Sequence, residues 1–103
     1  METTEGKKTW TREEIVNLIK SSNRAVERAM VAIWRRQTED ERRTETTQHH
    51  NGIGFSGWTA RNGSYYARWV IGGGRLTGKH LVRARRIALH HAGQLTRIAN
   101  GEV

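Results

Sequence analysis

From Ile15 to Ile33 apolar residues return at three- and four-residue steps, through Leu18, Ile19, Val26, Ala29 and Met30, while Glu13, Arg24, Arg28 and Arg35 fall on other faces. That period gives an α-helix one apolar stripe and gives a strand no consistent side, so the N-terminal part predicts an amphipathic helix. Thr11 followed by Glu14 is a capping-box pattern, with Trp10 placed to act as a hydrophobic staple. Ser21-Ser22-Asn23 has low helix propensity and could break the helix into two, yet the stripe stays in phase across it, which favours one long or kinked helix. The mixed-charge run Gln37 to Arg43 is expected to extend it in solvent.

The apolar supply limits what this helix can pack against. With 103 residues, 35% hydrophobic and without Pro or Cys, the chain predicts one small domain over 10–103 behind a flexible polar tail, 1–9. No disulfide framework or thiolate zinc site is available, and no apolar run approaches the roughly 20 residues of a membrane span. METTEGKK lacks the apolar core of a secretory signal, so a cytoplasmic location is expected.

The glycines of His49-His50-Asn51-Gly52-Ile53-Gly54-Phe55-Ser56-Gly57 point to a shaped Gly-rich loop. Residues 58–71 read two ways: Asn62-Gly63 between Trp, Thr and Tyr residues is a hairpin signal, whereas Ala60, Ser64, Ala67 and Ile71 also fit a helix. Gly72-Gly73-Gly74 ends either element. Thr77 can cap a helix from about Gly78 to Ala99, with Asn100-Gly101 as its stop. Its expected buried stripe is Leu81, Ala84, Ala88, Ala92, Leu95 and Ala99, with Ile87 and Ile98 at the edge. Lys79, Arg83, Arg86, His90 and Arg97 fall within about 40° of one line on the opposite side. The fold class is therefore a small, mainly α domain with a basic C-terminal helix.

Charge is unevenly placed. The whole chain carries 18 Lys and Arg against 10 Asp and Glu; residues 1–51 hold 10 basic and 9 acidic side chains, whereas residues 52–103 hold 8 and 1, a net +7. No carboxylate lies between Glu45 and Glu102, so the arginines of this half are expected to seek anions elsewhere. Arg outnumbers Lys 14 to 4, and a planar guanidinium suits phosphate and carboxylate. Nucleic acid is the leading partner, an acidic protein surface the competitor.

At NGIGFSG, with AMVAIWRRQTEDE upstream and LTGKHLVRARRI and HAGQLTRIANGE downstream, the chain resembles a group of small phage- and plasmid-borne proteins and protein segments. Their pattern is an alanine-rich helix ending in QT-x-x-E, then NGxGFxG and an Asp-Ala helix, then LSPKQ and YAGQL-x-x-IAN. The likeness spans roughly residues 26–102. It implies a mostly helical domain, which tips 58–71 towards helix, and it implies no particular activity. This chain has Thr59 where the group has Asp, Gly78 for Pro, His80 for Gln and His91 for Tyr.

Catalytic and metal motifs are incomplete. Gly73 to His80 fits GxxxxGK followed by His, but after Lys79 only Glu102 could serve magnesium, so a plain helix start is favoured over a phosphate loop. His49, His50, His80, His90 and His91 lack metal-ligand spacing, and the carboxylates sit on a charged helix. No cofactor, no metal and no enzyme activity are expected.

Trp58, Tyr65, Tyr66 and Trp69 are interleaved with Arg61, Arg68 and Arg75, a mixture suited to stacking bases and holding phosphates. The same rings are core candidates, and at least two, Trp69 with Tyr65 or Tyr66, are expected to be buried. The sequence thus predicts a small phage-type accessory protein binding nucleic acid through Arg61, Arg68, Arg75, Lys79, Arg83, Arg86, His90 and Arg97. The alternatives are an inhibitor of a host defence or nucleic-acid-processing enzyme, and a homo-oligomer packed through the N-terminal helix.

Overall fold

A computed structural model describes residues 9–44, 55 and 57–101, with side chains at 9–39, 55 and 57–101. The tail 1–8, most of the Gly-rich loop and His49-His50-Asn51 lie outside the described residues. The elements are α1 (Arg12–Ser21), α2 (Asn23–Thr44), a 3₁₀ turn (Gly57–Thr59), α3 (Ala60–Ile71), α4 (Gly78–His90) and α5 (Ala92–Ala99). Among the described residues there is no strand, and no helix is long and apolar enough to cross a membrane.

The capping box at the start of α1 forms as its residue types dictate. Glu14 N–H donates to Thr11 Oγ1 at 3.2 Å, and Thr11 N–H donates to Glu14 Oε1 at 3.0 Å. The expected single N-terminal helix is instead two. Ser22 is extended (φ −131°, ψ 120°), its N–H closes α1 on Leu18 O, and its Oγ accepts the Ala25 N–H at 3.1 Å. One serine thus ends a helix and caps the next, which a heptad-like count cannot reveal.

α2 carries the centre of the core with Val26, Met30 and Ile33 fully buried. Ile15 and Ile19 of α1, Tyr66 and Ala67 of α3, Ala84, Ile87 and Ala88 of α4 and Leu95 of α5 close around them. Asn100 joins the two ends of the domain: Trp10 N–H donates to its Oδ1 at 2.6 Å and its Nδ2 donates to Trp10 O at 3.0 Å.

The ambiguous segment is helical, and Asn62-Gly63 is no turn. A Cβ on Gly63 would lie 2.4–2.6 Å from three ring carbons of Phe55, so this glycine is the seat of that buried ring. The C-terminal helix also divides, at His91 (φ −103°, ψ 26°), which separates α4 from α5. Ile87 is fully buried instead of lying at the edge, Leu81 is half-buried and Ala99 is exposed. Thr77 occupies the N-cap with extended dihedrals but makes no side-chain capping bond.

Two glycines in helices give opposite expectations. Gly63→Ala gains up to about 1 kcal/mol of helix propensity, yet it overpacks the Phe55 ring at a cost of about 1–3 kcal/mol, so the net change is destabilising. Gly93 in α5 has nothing within 4 Å of an added Cβ, so Gly93→Ala should stabilise by up to about 1 kcal/mol. Urea melts of both variants check the signs.

Candidate nucleic-acid interface

The connector between α3 and α4 is held by a residue from the other half of the chain. Glu27 of α2 is buried, and its Oε2 accepts the Leu76 N–H at 2.9 Å and Arg75 Nε at 3.3 Å. Leu76 itself is buried in the core. As expected from the absence of carboxylates between Glu45 and Glu102, Arg75 finds its anion elsewhere, on Glu27 of the N-terminal half. Arg85 is also engaged, donating to Ile19 O at 3.0 Å and to Asn23 Oδ1 at 2.5 Å at the α1–α2 joint.

On α3 the exposed side is an aromatic stripe. Tyr65 and Trp69, four residues apart on α3, are 49% and 50% exposed and share one helix face, and Trp58 of the preceding 3₁₀ turn is 55% exposed. Tyr66 alone of the four rings is buried, so the expectation of at least two, including Trp69, is wrong. The difference is in the partners. Tyr66 lies next to His80 of α4, with its hydroxyl 3.3 Å from Nδ1, which satisfies a polar tip inside the domain. The Tyr65 and Trp69 rings stack at 6.4 Å between centroids.

Trp69 also has structural work. Its Nε1 donates to Arg75 O at 3.1 Å, and a Cβ on Gly74 would lie 2.3 Å from that nitrogen. The glycine at 74 lets the indole cover the connector.

Arg61 and Arg68 are exposed on α3, both on one side of the Tyr65–Trp69 line. Lys79, Arg83, Arg86 and His90 are exposed along α4, and the His90 ring meets the edge of Trp58 at 5.3 Å. The basic row of α4 therefore adjoins the aromatic stripe at the 3₁₀ turn, while Tyr66 and His80 link the same two helices farther along. Arg97 is exposed on α5 beyond the His91 break, so the single basic line expected from 79 to 97 ends at His90. Among the described residues no carboxylate lies within salt-bridge distance of Arg61, Arg68, Lys79, Arg83, Arg86 or Arg97.

Behind this face, the two positions 59 and 91 meet. Thr59 Oγ1 and His91 Nε2 are hydrogen-bonded at 2.9 Å, both residues are buried, and Phe55 packs edge-on against the imidazole at 5.8 Å. Burial, and then the charge of neighbouring His90, push the His91 pKa below its ordinary 6.5. Among the described residues no group of three His, Asp or Glu could hold a metal ion.

Sequence reasoning grouped Glu27 with the other carboxylates of a charged helix and gave it no contact of its own. It also treated Arg24, Arg28 and Arg35 as a solvated helix face, although they line a groove beside the connector. The signal was present in their spacing, which puts all three on one side of α2. The chain matches no known protein family, no curated protein and no solved structure.

Two outcomes test this framework. Glu27→Ala leaves the buried Leu76 N–H without its acceptor and should cost about 1–3 kcal/mol. Arg75→Ala, at a side chain 68% exposed, should cost less than about 1 kcal/mol; equal losses in chemical denaturation would shift the weight to the ion pair.

Folding favours neutral His91, so its contribution is complete above pH 6.5 and is lost as the pH falls below 6.5 towards the lowered native value. The wild type should lose melting temperature between pH 7.5 and 5.5. His91→Gln, facing the same Thr59, Phe55 and His90, should lose less over that interval.

Proposed function

We propose that the protein is a non-enzymatic, phage-type accessory protein that binds nucleic acid through the combined face of α3 and α4, with single strands preferred. The observation that carries this reading is the half-exposed Tyr65–Trp69 stack on α3, with Trp58 meeting His90 where the 3₁₀ turn adjoins α4, together with the exposed Arg61 and Arg68 of α3 and Arg83 and Arg86 of α4. Every base has a π-face, so rings on a rigid helix stack bases without reading sequence, and guanidinium groups beside them hold phosphates. A duplex hides its base faces, which makes the aromatic stripe most useful against an unpaired strand. Arg75 remains accessible for a phosphate although its Nε is on Glu27. The phage and plasmid setting comes from the resemblance around NGIGFSG and HAGQLTRIANGE.

Random single-stranded and duplex oligonucleotides, titrated at several salt concentrations, test the reading. Replacing Arg83 and Arg86 by Ala should reduce the slope of log K against log salt by about 1.4 for a single strand, at about 0.7 per phosphate contact. Tyr65→Ala should weaken single-strand binding by about 1–3 kcal/mol, with little change for a duplex. Absence of binding to either probe at low salt overturns the proposal and assigns the basic face to an acidic protein surface, as an inhibitor of a host enzyme would use it.

A further inference from the structure

A groove of about 500 Å³ runs between α2 and the connector, with Arg24, Arg28, Arg35 and Arg75 around a floor of Val31, Ala32 and Val70. Arg24, Arg28 and Arg35 lie within about 40° of one line and span about 16 Å of helix, at 1.5 Å per residue. Glu27 also lines the groove, but its carboxylate is committed to Leu76 N–H and Arg75 and its side chain is 9% exposed. The groove is therefore cationic despite the balanced charge of the N-terminal half.

Its position matters as much as its charge. Gly73 and Gly74 close one end of the groove and also line a shallow hollow with Arg68 and Trp69. Trp69 and Arg75 in turn border a third hollow with Tyr65, Tyr66 and His80. The three depressions share Gly73, Gly74, Trp69 and Arg75 from one to the next, so they adjoin one another around the glycine turn between the arginine row and Tyr65. We infer that together they form the track of one nucleic-acid single strand, whose phosphates lie along Arg24, Arg28 and Arg35 while its bases reach Trp69 and Tyr65. The inference rests on the nucleic-acid reading above and extends its footprint to α2. An unpaired strand bends across a turn that a stiff duplex does not follow. An acidic peptide would meet the arginines but would leave the aromatic end without a complementary surface.

The test is Arg24→Ala/Arg35→Ala against a charge-matched control, Arg12→Ala/Lys20→Ala, whose side chains are exposed on α1. Both variants replace exposed helical residues by Ala, and melting curves confirm folding. Binding of oligodeoxythymidylates of increasing length is measured across a salt series. The groove variant should lose about 1.4 from the salt slope, for two single-strand phosphate contacts, and its affinity should stop growing at a shorter length than the wild type's. The control should retain the wild-type length dependence. If the groove variant matches the wild type while Tyr65→Ala weakens binding, the track is overturned and the α3–α4 reading stands. Equal losses in groove and control variants reduce the effect to net charge and also overturn it. If the wild type binds no oligonucleotide, track and reading fall together, and tight binding of poly-glutamate then assigns the groove to an acidic protein.

Discussion

The arrangement of the basic face depends on one buried carboxylate. Glu27 projects from the central helix and accepts the Leu76 N–H, fixing the point at which the chain turns from α3 into α4. Burying a carboxylate is costly unless donors meet it, and hydrogen bonds to a charged group contribute about 1.5–3 kcal/mol each where they do. Once this point is fixed, Leu76 enters the core and Trp69 folds over the glycine turn towards Arg75 O. α4 then starts beside Tyr66, through the contact with His80. The stripe on α3 and the basic row on α4 keep their relation because both ends of the connector are held.

The core explains why so many rings are outside. Ala29, Ala67, Ala84, Ala88 and Ala92 are buried, so the helices approach closely where they cross. Medium-sized Ile, Val and Met side chains fill the remaining space; of the large rings Tyr66 and Phe55 are buried, while Trp10 and Trp34 pack partly buried against the core. Phe55 needs the absence of a Cβ at Gly63, and Tyr66 needs a partner for its hydroxyl. Trp58 and Tyr65 have no comparable cavity cut for them.

Much of the helical architecture was legible because local signals and burial agree. The Thr11–Glu14 box forms, and most of the Ile15–Ile33 stripe is buried apart from Leu18, while the apolar side of 78–99 is buried at Ala84, Ala88, Ala92 and Leu95 but shifted to include Ile87 and to leave out Ala99. The breaks at Ser22 and His91 were hidden for the same reason: the apolar pattern continues across both, and only a serine hydroxyl and a buried imidazole mark them. Asn62-Gly63 left its segment open between hairpin and helix because glycine serves turns and close packing alike, and sequence does not show which neighbour approaches. The site was half legible. Its cations on α3 and α4 follow from helical spacing, but the α2 groove exists because Glu27 brings a distant connector beside Arg24 and Arg28.

The three exposed rings do not weigh equally in a functional reading, because the fold itself explains some of them. Trp69 covers Gly74 and donates to Arg75 O, so its place would be needed with no ligand at all. Trp58 meets His90 edge-on, a contact that helps seat the 3₁₀ turn against α4. Tyr65 packs against Tyr66 and stacks on Trp69, with 49% of its surface in solvent. Removing its ring deprives the core of little, since Tyr66 remains buried and Trp69 remains bonded to the connector. A tyrosine that contributes so little to its own domain, yet extends a stack into solvent on the helix that also exposes Arg61 and Arg68, has its natural complement in another flat ring. That is why Tyr65, more than the larger tryptophans, carries the proposal that the aromatic face stacks unpaired bases.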